Sequence, residues 1–318
     1  MSSALLFLLH SFEAAHPSHI RADTVAMDLF RAASAAREHS ERVMHLTATI
    51  LKFNMGHYSV WCASFTSLTC VKKLSSIVRR LFRRRCLLEL GLSIKDELQF
   101  TAKSAGENPK NYQMWFHRRE LCASNHKLLT GEIAYTTQVL SKDPKNYHAW
   151  SHRQWAVAES RTFEDDNAFT DSLLEKDGRN NSAWNHKWFL LSRGGASALS
   201  RETIIQELAN LKQHVTRIPS NEAAWNFFQG LLQQAAAKDL AVLSAAQDMH
   251  ASAQANEPDA AKSNAAYPLA GKLYILELQQ AVVGDDVAAA HTKVCQQLCV
   301  QDPIRKRYWE HRGTMLAT

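Results

Sequence analysis

The chain has 318 residues, of which 46 % are hydrophobic, with only 11 Gly and 7 Pro. This composition predicts a globular protein with a sizeable core, in one large or two ordinary domains, and no apolar run approaches the roughly 18 residues of a membrane span. The net charge is +6, but four basic residues fall in a segment that we interpret below as an insertion. Without them the charge is 6 − 4 = +2, which gives a nucleic-acid partner little support.

The first 25 residues carry no repeat. They open with MSSALLFLLH, which is apolar for about six residues and lacks the basic region of a signal peptide. We predict a poorly ordered lead over residues 1–25 and a helical-repeat domain over 26–318. The six cysteines form neither C-x-x-C pairs nor Cys/His metal spacings, so we expect buried thiols in a reducing compartment and no metal site.

A frame built around one tryptophan recurs along the chain. Four copies read PKNYQMWFHRR, PKNYHAWSHRQ, GRNNSAWNHKW and PSNEAAWNFFQ, and they begin at residues 109, 144, 178 and 219. Their tryptophans are 35, 34 and 41 residues apart, a period that fits one helical hairpin. One hairpin cannot bury its apolar stripe alone, whereas stacked neighbours can. The sequence therefore predicts an all-α fold, an α-α superhelix (solenoid) of stacked helical hairpins.

The residue types of the frame indicate how its helix begins and packs. Proline before the motif bars continuation of the preceding helix, and Asn111, Asn146 and Asn180 can cap the helix that follows. We expect the Trp to be a core side chain. The His and the basic residue that follow it repeat in nearly every copy, so we expect them to pack and hydrogen-bond between repeats. These residues are His117, Arg118, His152, Arg153, His186 and Lys187.

An earlier copy of the frame is interrupted. It ends at Trp61, and nineteen residues, 62–80, precede the expected continuation Leu81-Phe82-Arg83-Arg84. Removing them shortens the step from Trp61 to Trp115 from 54 to 35 residues. We interpret 62–80 as an insertion, either a retained intron or gene-model error, or a genuine insert that bulges out as an amphipathic segment. The predicted repeats lie near 40–105, 106–140, 141–175, 176–215, 216–255, 256–290 and 291–318.

The frame Pro-x-Asn-Tyr-x-x-Trp-x-His-Arg resembles the repeat of the protein prenyltransferase α subunit family. The lines ENPKNYQMWFHRREL, DPKNYHAWSHRQW and DGRNNSAWNHKWF, with the closing IRKRYWEHRG, are most similar to the α subunits shared by protein farnesyltransferase and geranylgeranyltransferase type I. The resemblance covers roughly residues 26 to 315. The Rab-type α subunit is a poorer match, because we do not expect this closing segment in it.

The resemblance implies a crescent of helical hairpins around a catalytic β subunit, in a cytoplasmic heterodimer that is active only when assembled. In this family the β subunit holds the isoprenoid pocket and a Zn²⁺ ion, which activates the thiolate of a C-terminal C-a-a-X cysteine. That thiolate attacks the first carbon of farnesyl or geranylgeranyl diphosphate, and diphosphate leaves. Mg²⁺ is expected to assist the farnesyl reaction, and no residue of this chain identifies a metal site.

Two motif-helix starts carry residues suited to a diphosphate. Helix N-termini present free N–H groups and a partial positive charge, and Lys110 and Lys145 stand just before two of them. Repeat position alone does not separate these two lysines. By resemblance, Lys110 contacts the α-phosphate and assists the leaving group, and Tyr112 lies in the same active site. Gln113 would bind the C-terminal carboxylate of the peptide substrate.

The resemblance adds substrate-binding residues from two other repeats. Asn146, Tyr147 and His148 would come from the following repeat, with His148 near the diphosphate. Tyr58, in the interrupted copy, would lie beside the isoprenoid or its exit path.

A helical-repeat scaffold that binds peptides without catalysis is the alternative of a different class. The Lys-Asn-Tyr-(Gln/His) sequence at two successive helix starts favours the prenyltransferase, because a scaffold has no reason to keep these residues at one loop edge. The Rab-type α subunit would be separated by a requirement for an escort protein. The sequence does not decide the isoprenoid, the protein substrates, the identity of the β subunit or the role of residues 1–25.

Overall fold

The structure is a computed structural model that describes residues 19–54, 57, 60, 82–106, 109–123, 125–194, 199–234, 239–255 and 266–315. Within these ranges the regular structure is entirely helical, which confirms the predicted all-α class. Two short 3-10 helices cover His126–Leu128 and Pro303–Arg305. The α-helices are α1 His19–Ala35, α2 Glu41–Phe53, α3 Phe82–Glu89, α4 Ile94–Ala105, α5 Tyr112–Cys122, α6 Leu129–Lys142, α7 Tyr147–Ser160, α8 Asn167–Lys176, α9 Asn181–Arg193, α10 Arg201–Arg217, α11 Glu222–Gln234, α12 Leu240–Ala255, α13 Ala266–Val283, α14 Ala288–Gln301 and α15 Lys306–Thr314.

Three parts of the prediction lie outside the described residues: most of the N-terminal lead, Tyr58 with Trp61, and the insertion 62–80. Helix α1 begins at His19, seven residues before the predicted start of the repeat domain at residue 26. The repeat boundaries stay a prediction. No helix in the described part of the chain is long and apolar enough to cross a membrane.

The chain groups into two compact units, which are described separately. The first comprises the described parts of residues 1–142 and 146–159. In it, α1 packs on α2 and α2 packs on α3. Ser40 caps α2 by accepting a hydrogen bond from the Val43 N–H, and the rings of Phe30 and Phe82 meet edge to face at 5.4 Å.

The second unit comprises residues 143–145 and the described part of 160–318. Its motif helices pack in series, α9 on α11 and α11 on α13, while α10 packs on α12. Helices of like position therefore stack on one another, as expected for hairpins that bury a shared stripe. Gly271 on α13 permits one close approach, since a Cβ there would lie 2.4 Å from Cζ3 of Trp225. The last helices pack around a hydrophobic core. Its buried members are Ala266, Leu273, Leu276, Val287, Val294, Cys295, Leu298 and Trp309.

A buried carboxylate joins successive motif helices in the first unit. Glu97 on α4 accepts two hydrogen bonds from Arg83, at 2.6 and 2.7 Å, and lies 2.9 Å from Nε2 of His117. Glu132 on α6 repeats this arrangement with Arg118, at 2.6 and 3.0 Å, and with His152, at 2.7 Å. Each basic residue and histidine of the frame thus holds one helix against another, which confirms the structural role predicted for them.

The same arginines fix the register of the repeats. Nη1 of Arg118 donates to Oγ1 of Thr101, and Nη1 of Arg153 donates to Oγ1 of Thr136. The two residues are 17 positions apart in each pair. In the first repeat Nη1 of Arg83 donates to Oγ1 of Thr47, which is 36 positions away. The excess is 36 − 17 = 19 residues, which equals the length of the predicted insertion 62–80.

Candidate functional site at the motif-helix starts

The turn that carries Lys110 is closed by two side chains of the motif itself. Asn111 caps α5, because its Oδ1 accepts a hydrogen bond from the Met114 N–H at 3.0 Å. The indole N–H of Trp115 donates to the carbonyl of Pro109 at 2.7 Å. The tryptophan therefore packs in the core and also donates a hydrogen bond that closes the turn. Lys110, between these two anchors, is exposed.

Three rings lie together beside this turn, all in the first unit. The Tyr112 ring meets the His148 ring edge to face at 4.1 Å, and the Tyr147 ring lies 5.5 Å from His148. Tyr112 and Tyr147 are 65 % and 69 % exposed, which is unusual for aromatic side chains of this size. Burial and the positive charge of Lys110 both lower the pKa of His148. The structure thus brings Lys110, Tyr112, Tyr147 and His148 into one cluster.

The other predicted site residues have separate positions. Gln113 is half-buried on the first turn of α5. Asn146 is 2 % exposed, and its Oδ1 accepts a hydrogen bond from the Ala149 N–H, so it caps α7. Lys145 belongs to the second unit, where its Nζ lies 3.7 Å from Oδ2 of Asp177. Tyr58 lies outside the described residues.

The cluster combines one fixed positive charge, two solvent-facing phenols and a partly buried imidazole with a lowered pKa. Phenol hydroxyls and a lysine ammonium are hydrogen-bond donors, and the helices behind them contribute free N–H groups at their first turns. Lys110, Tyr112 and Tyr147 are all exposed to solvent. This arrangement suits an anion that is covered from the solvent side by a second molecule.

The described residues contain no group of three or more His, Cys, Asp or Glu side chains arranged to hold a metal ion. Among the described cysteines, Cys86, Cys122 and Cys295 are buried, as expected, while Cys299 is half-exposed. Burial raises the pKa of the Cys122 thiol to about 12. A thiol of this kind is an inert core side chain.

Two features were missed from the sequence. The tryptophan bond to the turn recurs in the second unit, where Trp184 donates to Gly178 and Trp225 to Pro219, each across six residues. The carboxylates Glu97, Glu132 and Asp166 were not singled out, although each lies 20 residues before a motif histidine. That constant spacing is the signal that could have found them.

Comparisons with known proteins were consistent with this organisation. The family model described as "Protein prenyltransferase alpha subunit repeat" matches residues 94–125, 129–160 and 163–194. A protein farnesyltransferase/geranylgeranyltransferase type-1 subunit alpha from Solanum lycopersicum is 34 % identical over 313 residues, which cover 91 % of this chain and 81 % of that protein. The subunit of the same name from Schizosaccharomyces pombe is 32 % identical over 95 residues, 30 % of this chain and 26 % of that protein.

A solved structure shares the fold. It is titled "Candida albicans protein geranylgeranyltransferase-I complexed with GGPP", and it matches with a TM-score of 0.68 at 24 % identity. The match covers 92 % of this chain and 89 % of the other. The helical hairpins described above therefore form the α-α superhelix predicted from the repeats. Together with the repeat match and the tomato relative, this shows that the chain belongs to the family of protein prenyltransferase alpha subunits of the farnesyltransferase/geranylgeranyltransferase type I kind.

Proposed function

We propose that this chain is the non-catalytic-alone subunit of a cytoplasmic heterodimer that transfers a farnesyl or geranylgeranyl group to the cysteine of a C-terminal C-a-a-X sequence. The observation that carries the proposal is the cluster of Lys110, Tyr112, Tyr147 and His148 at two successive helix starts, in which both tyrosine side chains are exposed. A partner β subunit would cover this surface. Family membership supports the existence of that partner.

In this proposal Lys110 places its charge against the diphosphate that leaves. Negative charge grows on the leaving group in the transition state, and donors held in place beforehand stabilise it without reorganising. The bonds from Asn111 and Trp115 hold the turn of Lys110 in this way. The Tyr112 hydroxyl donates a second hydrogen bond, and the His148 ring supports the Tyr112 ring from the side.

The remaining residues take substrate-binding roles in the same proposal. Gln113 binds the C-terminal carboxylate of the peptide, and Tyr147 extends the surface toward the diphosphate. Asn146 acts by holding the start of α7, where its carboxamide is the cap. Lys145 adds positive charge near the second helix start, and Tyr58 would line the isoprenoid path.

The metals of the reaction are assigned to the partner and the substrate. Zn²⁺ on the β subunit would activate the cysteine thiolate of the C-a-a-X substrate, and Mg²⁺ would assist departure of diphosphate in the farnesyl reaction. This proposal gives neither ion a ligand among the described residues of this chain, which contain no group of three or more His, Cys, Asp or Glu side chains arranged to hold a metal. We therefore assign no step of this chain to a metal.

The test is Lys110→Ala in the assembled heterodimer. The chain is co-expressed with a candidate farnesyltransferase β subunit, purified through a tag on β, and assayed for prenyl transfer to a C-a-a-X peptide. We expect Lys110→Ala to lower the single-turnover rate by roughly 10- to 1000-fold, the loss typical of one charge-stabilising group. Lys127→Ala, at another exposed lysine of the first unit, is the control and is expected to be neutral.

An unchanged single-turnover rate in Lys110→Ala removes this lysine from the mechanism. Co-purification without any transfer of either isoprenoid favours the peptide-binding scaffold instead. A requirement for an added escort protein favours the Rab-type enzyme.

A further inference from the structure

The buried carboxylates of the repeats form a series whose fourth member differs from the rest. Glu97 and Glu132 each contact an arginine of one motif and a histidine of the next. Asp166 lies 2.6 Å from His186, again 20 residues ahead. The fourth carboxylate is Glu207, and the residue 20 positions after it is Phe227. A phenyl ring donates no hydrogen bond, so this carboxylate lacks one of its two usual partners.

The second usual partner is replaced as well. Where the earlier motifs have Arg83, Arg118 and Arg153, this one has Lys187. Nζ of Lys187 forms an ion pair with Oε2 of Glu207 at 3.2 Å and donates a hydrogen bond to Oδ1 of Asp171 at 2.8 Å, so this one ammonium group is shared between two carboxylates. Beyond this ion pair, Oε2 of Glu207 accepts no hydrogen bond from the described residues, although the residue is only 8 % exposed. A lysine has one nitrogen and cannot form the two parallel bonds of a guanidinium.

Burial raises the pKa of Glu207, although the charge of Lys187 and hydrogen bonding to Lys187 and Asn210 oppose this rise. In the repeat around Glu97 the balance is reversed: burial again raises the pKa, but hydrogen bonds from His117 and Arg83 outweigh it and lower the pKa to about 2. The opposite pKa shifts of Glu97 and Glu207 show that Glu207 has weaker hydrogen-bonding and charge partners. Its negative charge is under-compensated for a carboxylate buried this deeply.

A cavity opens at this position within the second unit. Its volume is about 350 Å³, and the charged or titratable side chains that line it are Asp171, Glu175, Lys187, Glu207, His214 and Arg217. At about 30 Å³ per water molecule, there is room for roughly ten waters, or for the end of a large side chain. Three carboxylates face two fixed cations, a balance of 2 − 3 = −1. Burial, with the charges of Arg217 and Lys187, lowers the pKa of His214, so this ring does not offset the deficit.

The first unit shows what fills the corresponding place when arginine is present. The guanidinium of Arg118 binds both oxygens of Glu132 and lies 3.9 Å from the centre of the Tyr135 ring. In the second unit the indole of Trp184 lines the cavity beside Glu207. A planar cation entering there would meet the carboxylates of Asp171 and Glu207, the kind of group that binds the Arg118 guanidinium.

We propose that the cavity beside Glu207 is a binding site for an alkylguanidinium cation, which supplies the two parallel hydrogen bonds that Lys187 cannot. The cation is either a small free guanidine or the arginine side chain of a bound polypeptide, since both present the same planar donor group. This site is independent of the prenyl-transfer cluster and of whether the chain catalyses that reaction.

The test is calorimetric titration of the full chain with ethylguanidinium, with ethylammonium as the probe for shape. We expect saturable binding of one ethylguanidinium per chain in the millimolar range and at least 10-fold weaker binding of ethylammonium. Glu207→Gln is expected to weaken ethylguanidinium binding at least 10-fold. Lys187→Arg is expected to abolish it, because its own guanidinium then occupies the cavity. Glu159→Gln, at an exposed carboxylate of the first unit, is the matched control and is expected to bind as the wild type does.

Circular dichroism melting of every variant shows that the fold is kept. The absence of saturable binding in the wild type overturns the proposal, as does a Lys187→Arg variant that binds with undiminished affinity. A capped glycyl-arginine amide distinguishes the two sources of the cation. Binding at least 10-fold tighter than that of ethylguanidinium identifies a polypeptide arginine, and equal affinity identifies a small guanidine.

Discussion

Trp115 illustrates how one side chain serves both packing and positioning. Its ring is 5 % exposed, and its N–H reaches the carbonyl of Pro109, directly before Lys110. Packing alone would be satisfied by any large aromatic ring, whereas the bond to the turn requires an indole nitrogen. The choice of Trp at this position therefore follows from the turn as much as from the core.

Trp115→Phe separates these two roles. It keeps most of the buried apolar area but removes the hydrogen bond, so we expect a loss of about 1 kcal/mol in the free energy of unfolding. We also expect the prenyl-transfer rate to fall while the Kd for the β subunit is unchanged, because the turn of Lys110 loosens. Trp155→Phe is the control, since no hydrogen bond from its indole is among those described. Equal effects of the two substitutions on rate would contradict the positioning role.

We expect acid to destabilise the first unit by protonating Glu97. Its pKa is lowered to about 2, because hydrogen bonds from His117 and Arg83 outweigh the raising effect of burial. Burial lowers the pKa of His117, so that ring resists protonation as well. A carboxylate with a depressed pKa stabilises the fold above its unfolded value of about 4.3, and this contribution is lost as the pH falls toward about 2.

Glu97→Gln leaves Arg83 as a buried charge without its carboxylate. We expect this to cost about 3–5 kcal/mol in the free energy of unfolding at pH 7. The difference in the free energy of unfolding between variant and wild type should become smaller from about pH 4.3 to about pH 2, because the wild-type carboxylate is protonated in this range. Denaturant unfolding at pH 7, 4 and 2.5 measures this. A difference that stays constant down to pH 2.5 would argue against charge as its origin, and Glu89→Gln, at an exposed ion pair, is the comparison.

At the scale of elements, α3 is the informative helix. It follows residues 62–80, yet Arg83 makes the contacts that Arg118 and Arg153 make in uninterrupted repeats. The arginine bonds to backbone carbonyls show the same excess in sequence separation. Arg83 donates to the Met44 carbonyl, 39 residues away, and Arg118 donates to the Leu98 carbonyl, 20 residues away. Again 39 − 20 = 19. The packing surface of α3 therefore resumes in register after the extra residues.

Deletion of residues 62–80 should preserve the first repeat. It joins Trp61 directly to Leu81, which restores the frame and shortens the chain between α2 and α3 by nineteen residues. We expect the melting temperature of the deleted chain to equal or exceed that of the full chain, with activity retained after assembly with β. A lower melting temperature, with loss of assembly, would show that the segment belongs to the fold. Detection of a peptide from 62–80 by mass spectrometry of the native protein would exclude a gene-model error.

At the scale of the whole molecule, features encoded in a short stretch of sequence were predicted, whereas contacts between residues far apart in the sequence were not. The helix class, the asparagine caps and the structural role of the motif His and Arg followed from one short frame repeated along the chain. The carboxylate partners did not, because Glu97 and His117 lie on different helices and no contiguous motif contains both. The cavity at Glu207 could not be found either, since its lining side chains come from three helices that lie apart in the sequence.

The candidate site was predicted in the same uneven way. Lys110, Tyr112, Tyr147 and His148 were named from the sequence, and the structure places them in one cluster. Asn146 was named both as a helix cap and as a substrate-binding residue; the structure shows the cap on α7, and the binding role stays a prediction. A cap and a binding residue look alike in a one-dimensional pattern, because both are polar residues at a helix start.

Assembly with the partner should depend on the exposed aromatic surface of the first unit. Phe116, one turn after Tyr112, is 41 % exposed. We expect Phe116→Glu to reduce co-purification with the β subunit at least 10-fold, because a charge would be desolvated in the interface. The melting temperature of the chain alone should change little. Leu88→Glu changes another exposed apolar residue of the same unit, 59 % exposed, and is the control. Equal loss of assembly in both would mean that the surface around Phe116 is not specific to the interface.

The hydrogen bonds across the turns also limit how far each turn can move. In the second unit the Gly178 carbonyl accepts hydrogen bonds from both Trp184 and Asn221, so both of its lone pairs are used. The Pro109 carbonyl is similarly held by Trp115 in the first unit. Breaking such hydrogen bonds costs free energy, so each turn resists a change of shape. In the first unit the turn at Pro109 therefore holds Lys110 and the start of α5 in place without a bound ligand.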